Sequence, residues 1–159
     1  MVRSSRTQRA LLVALAVVLV VSAAAFVATA SAQLSWQQRD SIAFQPTGYE
    51  LVDGDDPQLR VTMEVRNPTS VDARFRAGSL VVYDGDPAGS EALTVPRSER
   101  LAGDRDATVS AGATTTVTLT ASVRPDTVEQ AQSAIESGRA VTSGTFAVTV
   151  RDRSFEANV

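Results

Sequence analysis

The pattern of apolar and polar positions changes period along the chain. Ala10 to Ala30 reads ALLVALAVVLVVSAAAFVATA, without a charged residue, whereas beyond about residue 40 apolar and polar side chains alternate. Leu59, Val61, Met63 and Val65 share one parity and Arg60, Thr62, Glu64 and Arg66 the other, which predicts a strand with one buried face. Asn67-Pro68 stops it, because proline lacks the N–H a ladder needs and asparagine turns the chain readily. Val71, Ala73 and Phe75 alternate with Asp72, Arg74 and Arg76, and Leu80-Val81-Val82-Tyr83 resumes after Gly78, predicting a bent strand broken at that glycine. Thr114 to Val123 places Val117, Leu119, Ala121 and Val123 inward, and Gly144 to Val150 does the same with Phe146, Val148 and Val150. Phe155 begins a short return.

Weaker strands are expected at Ser41 to Phe44 and Tyr49 to Val52, interrupted by Pro46 and Gly48. Two more, Ala92 to Val95 and Asp106 to Val109, flank a polar stretch from Pro96 to Arg105. One helix reads from Asp126, whose spacing to Glu129 is that of a capping box, to Gly138, with Val128, Ala131 and Ile135 as its apolar stripe. The sum is an all-β class, an antiparallel sandwich carrying one short helix.

The apolar run divides the chain into an arginine-bearing N-terminus (1–9), a signal-anchor (10–32), a linker (33–40) and the β domain (41–159). A bilayer core takes roughly 20 helical residues, against about 7 to 15 in the apolar part of a cleavable signal. Length therefore favours a retained single-pass anchor, while Ala30-Ser31-Ala32 ahead of Gln33 has the small-x-small form of a cleavage site whose use would release the domain. Arg3, Arg6 and Arg9 ahead of the run hold that side in the cytoplasm and place the domain outside. Trp36 suits either a headgroup-level ring or packing in the linker.

Composition narrows the chemistry. The chain has no Cys and no His, which removes disulfides, thiolate sites, the commonest general base and the commonest zinc ligand. All 15 basic residues are Arg, against 18 acids. Such a composition fits a GC-rich genome or an acidic surface suited to high salt. The acidic balance beyond the N-terminus opposes nucleic-acid and anionic-lipid partners.

Asp53-Gly54-Asp55-Asp56 and Asp84-Gly85-Asp86 offer carboxylates to calcium, but neither reaches its six to eight oxygens alone, and Asp-Gly turns account for both. Arg60, Arg66, Arg74 and Arg76 form either an anion-binding stripe or, the reading preferred here, ion pairs with Glu64 and Asp72. Paired carboxylates of the glycosidase kind remain chemically open, yet the acids fall on turns and outward positions. Asn67-Pro68-Thr69 is no glycosylation acceptor, since proline holds its middle position. No catalytic, cofactor-binding or metal-binding residue is assigned, and neither a cofactor nor a small-molecule substrate is expected.

The order of these features resembles the water-stress and hypersensitive-response (WHy) domain, the β-sandwich class of late embryogenesis abundant proteins. The stretches that carry it are Leu59 to Pro68, Val81-Val82-Tyr83-Asp84-Gly85, Val109 to Val123, and Gly144 to Val150, with the helix between the last two. Thr69 stands where the family often has a second Asn after Asn-Pro. The resemblance spans about residues 40 to 157 and implies a Greek-key sandwich related to immunoglobulin and fibronectin III modules, without catalytic residues to carry over. It further implies a non-enzymatic role in water-stress protection. The alternative is an adhesion or assembly module that binds a cell-envelope protein. A large apolar patch on an exposed sheet edge would favour assembly, and a patch-free charged surface protection.

Overall fold

The computed structural model describes residues 4–96 and 107–159. Arg3 and the polar stretch from residue 97 through Asp106 lie outside them. The chain divides after Gln37 into two units.

The first unit holds helix α1, Ser4–Gln37. Within it Ala10–Ala30 has a mean hydropathy of 3.0 and none of it is buried, so it is long and apolar enough to cross a membrane. Its apolar residues face every direction, as a lipid-facing helix requires. The helix continues to Gln37 through most of the expected linker, and a 3-10 turn at Arg39–Ser41 follows.

The second unit is two antiparallel sheets. Strands β1 (Ala43–Val52), β2 (Gln58–Arg66) and β5 (Thr114–Ser122) form one in the order β1-β2-β5. The other contains β3 (Ala73–Asp84), β4 (Ala107–Val109), β6 (Ala140–Val150) and β7 (Arg153–Asn158), in the order β4-β3-β6-β7. Helix α2 (Val128–Glu136) connects β5 to β6.

The alternation read from sequence becomes the core. Leu59, Val61, Met63, Val65, Leu119 and Val123 of the first sheet and its edge are buried in one cluster with Ala73, Phe75, Leu80, Val82, Phe146, Val148 and Val150 of the second. Aromatic rings join the layers: Phe44 stacks on Phe146 with centroids 4.3 Å apart, and Phe75 meets both rings edge-on at 5.5 and 6.2 Å. Tyr49 adds a polar link, its hydroxyl 2.9 Å from that of Thr142.

Two bulges explain why strands expected to break are continuous. In β1 the pairing passes from Pro46 opposite Met63 to Gly48 opposite Thr62, leaving Thr47 as an extra residue. The extra residue reverses parity, so Phe44 before it and Tyr49 and Leu51 after it all pack on the core. Proline is tolerated because β1 is an edge strand. In β3 the shift falls between Ala77 and Ser79, and the inward set moves from Ala73 and Phe75 to Leu80 and Val82. Gly78 and Gly144 let β3 and β6 meet there: a Cβ on Gly78 would stand 3.1 Å from the Thr145 carbonyl oxygen, and one on Gly144 would collide with that of Ser79.

The helix begins differently from the expected capping box. Residues Pro125–Thr127 form a 3-10 turn, and Thr127 precedes α2 without capping it. The Thr127 hydroxyl lies 2.9 Å from the Leu93 carbonyl, where it donates, and Asp126 meets Arg124 at 3.4 Å instead of the helix N–H groups. Proline at 125 pre-sets the turn that displaces Asp126 from the cap position. Ala131 and Ala134 are the buried face of α2, flanked by Val128 and Ile135. The Ala92 to Val95 segment makes isolated bridges, Tyr83 with Ala92 and Thr94 with Val123, rather than a strand.

Candidate functional site

The two Asp-Gly turns have separate fates. Asp84, at the end of β3, accepts from Arg139 Nε at 2.8 Å and from Gln130 Nε2 at 3.2 Å. Asp86 Oδ1 accepts the Ala88 N–H at 2.9 Å, the local side-chain-to-backbone bond that makes an Asx turn. Asp53, Asp55 and Asp56 lie exposed between β1 and β2. Among the described residues no three acidic, His or Cys side chains gather in a group able to hold a metal ion.

The hydrogen bond from Arg139 holds the Asp84 carboxyl below the usual carboxylate range; the bond from Gln130 adds to this and burial opposes it. A carboxyl depressed in the folded state stabilises the fold above its unfolded pKa, about 4, and loses that contribution as pH falls through the lower folded value. Arg139→Gln is expected to flatten part of the decline in melting temperature below about pH 4, read by circular dichroism.

The arginines depart from the sequence expectation. Arg60 and Arg66 lie on β2 and Arg74 and Arg76 on β3, in different sheets, so the four make no single stripe. Arg60 pairs with Glu50 across to β1, at 2.6 Å, rather than with Glu64. Asp72 Oδ1 accepts the Ala111 N–H at 2.9 Å. Register explains the first exchange, because Glu50 stands directly opposite Arg60.

Arg74 thereby faces solvent on the outer side of the four-stranded sheet, where it borders two open depressions. One, of about 450 Å³, is lined by Val71, Asp72, Arg74, Thr108, Thr149 and Arg151. The other, of about 360 Å³, shares Arg74 and Thr149 and adds Arg76, Ala147 and Ser154. The register brings them together: Arg74 is opposite Thr108 on β4 and Thr149 on β6, and Thr149 is opposite Ser154 on β7. Arg74 and Arg151 make no side-chain hydrogen bond or ion pair with the described residues.

Arg151 opens the two-residue turn between β6 and β7 with φ +55°, the left-handed region, and is the one non-glycine residue with positive φ among the described residues. Chemically the groove offers two permanently charged forks and neighbouring hydroxyls, a set suited to binding an oxyanion.

The sequence reading assigned Arg74 its correct outward face but did not single out Arg151. The signal for it was Arg151-Asp152 standing between two alternating runs, a hairpin position that ordinarily takes glycine or asparagine.

A second polar cluster is structural. Asn67 is fully buried where the chain leaves β2. Its Nδ2 lies 2.8, 3.0 and 3.2 Å from the carbonyl oxygens of Val71, Val109 and Ser110, and its Oδ1 accepts from the Thr69 N–H and hydroxyl at 3.1 and 2.8 Å. One side chain thus joins the β2–β3 connection to the β4–β5 turn. The motif read as a strand stop is a staple between the sheets.

No family model matches the chain, and no curated protein matches it. Among solved structures, it is similar to an X-ray structure of a Northeast Structural Genomics Consortium target, at 12% identity over 77% of this chain and 84% of that one, with a TM-score of 0.45. A protein from Archaeoglobus fulgidus is similar at 11% identity over 74% and 92% of the two chains, with a TM-score of 0.41. DesR, a beta-glucosidase from Streptomyces venezuelae in complex with D-glucose, is similar at 15% identity over 74% of this chain but 15% of its own length, with a TM-score of 0.27.

Proposed function

We propose that this chain is a membrane-anchored, non-catalytic β-sandwich of the immunoglobulin and fibronectin III kind that protects the cell envelope when water is scarce. Its domain faces outward, in keeping with the WHy resemblance. The observation that carries the reading is the surface. Outside α1, Val141 is the one large apolar side chain exposed among the described residues, at 38%. A surface without an apolar patch stays hydrated and gives a protein partner little to dock on. The bulge and Pro46 on edge strand β1 likewise discourage pairing with another strand.

A strain lacking the protein is expected to grow normally in ordinary medium and to lose viability after desiccation or osmotic shift. Rescue should need both domain and anchor. Equal survival of the two strains would remove the protective role.

A further inference from the structure

We infer that the groove between Arg74 and Arg151 holds a phosphate group of the membrane to which α1 ties the chain, so that the domain docks on anionic lipid headgroups. The inference rests on the membrane-anchor reading above and adds to it a lipid site.

Connectivity places the groove at the tethered end of the domain. Ala43, where β1 starts, is opposite Arg66, and Phe44 stacks on Phe146. Ala73 of the groove-bearing strand is opposite Val150, next to Arg151. The start of β1 and the groove therefore share one end of the sandwich. Seven helical residues follow Ala30 to Gln37, a rise of about 10 Å, and the headgroup layer is roughly 5 to 7 Å deep on each side of the core. Five residues, 38–42, then lead into β1 and reach at most about 18 Å. The end of the sandwich that carries the groove is thus the end joined to the membrane segment.

The charge distribution agrees. Asp53, Asp55, Asp56, Asp84, Asp86 and Glu91 belong to the opposite end, at or beyond the far ends of β1 and β3, while Asp40, Asp72 and Asp152 stand at the near end with Arg39, Arg66, Arg74, Arg151 and Arg153. Strand β6, 11 residues long, spans that separation, about 35 Å, which is several screening lengths of about 8 Å each. The acidity of the far end therefore does not cancel the guanidinium groups at the near end. Asp72 on the rim is tied to the Ala111 N–H, and Thr108 and Thr149 add hydroxyl donors. Arg151 occupies a backbone conformation that glycine adopts without strain, and a strained residue lining a groove points to a function for its side chain.

The test uses the full chain in vesicles. Because the protein has no cysteine, Ser110→Cys places a single fluorophore at the tethered end, and vesicles carry a headgroup-located quencher in either phosphatidylglycerol or phosphatidylcholine. Quenching is expected to be stronger in phosphatidylglycerol and to fall with added salt. Arg74→Gln with Arg151→Gln is expected to lower the ratio of docked to undocked domain roughly 25-fold, while Arg60→Gln, in the other sheet, leaves it unchanged. Arg151→Gly should also reduce docking yet raise the melting temperature, which separates loss of contact from loss of fold.

Failure of the chain to float with vesicles would overturn the anchor and the lipid site together. Flotation with equal quenching in both lipids, or quenching indifferent to the arginines, would overturn the site and leave the anchor. Abolition of quenching by millimolar inorganic phosphate would assign the groove to a small soluble anion and overturn the lipid assignment.

Discussion

Asn67→Ala should destabilise the domain by about 3 to 5 kcal/mol, measured by urea unfolding. The side chain is fully buried, and its amide serves the carbonyls of Val71, Val109 and Ser110 while its oxygen holds Thr69. Truncation leaves the Thr69 N–H without its acceptor and strips the Asn67 donor from the Val109 carbonyl, at about 1 to 3 kcal/mol each, whereas the Val71 and Ser110 carbonyls keep the Thr69 hydroxyl and the Ala113 N–H; it also opens a small cavity. A domain of this size has only about 5 to 15 kcal/mol in total, so one amide carries a large share. Asn67→Asp separates shape from chemistry. It keeps the outline but turns donors into acceptors facing carbonyl oxygens, and should cost no less than alanine. A loss below about 1 kcal/mol for both variants would show that water replaces the amide.

Phe146→Ala is the second large effect, expected at about 3 to 5 kcal/mol. The ring is fully buried, lies against Phe44 at 4.3 Å and meets Phe75 edge-on at 6.2 Å. Its removal empties the seam between the sheets instead of the edge of one. Thr118→Ala, on the outward parity of β5, should cost well under half as much. A larger effect at Thr118 than at Phe146 would mean that the buried faces are assigned the wrong way round.

Where the period of two was unbroken, the sequence could be read directly. Leu59 to Val65 and Leu119 to Val123 lie on the faces their parity assigns them. Bulges hid the continuity of β1 and β3, since an extra residue at Thr47 or Gly78 looks like a break although hydrogen bonding resumes beyond it. The cap was misread because Asp126 and Glu129 have the right spacing, while Pro125 sets a 3-10 turn that moves Asp126 off the cap position and the Thr127 hydroxyl is taken by the distant Leu93 carbonyl.

The arginine groove was least legible of all. Arg74 is far in sequence from Thr149 and Arg151 and meets them only through the pairing of β3 with β6. Likewise nothing local shows that Asn67 reaches the carbonyl of Ser110.

The order of strands also decides how the domain carries mechanical load. Tension arriving through α1 is applied at Ala43, on edge strand β1, whose single hydrogen-bonded neighbour is β2. A pull directed across the strands at that end opens the ladder one rung at a time from the Ala43–Arg66 pair, the weak direction for a sheet, instead of shearing all rungs together. Phe44 is the second residue along this path, and its ring is stacked on Phe146 of the opposite layer. The Phe44 ring is therefore the clasp that must slip before the strand can peel, and its grip sets the force at which a pull on α1 begins to unravel the sandwich.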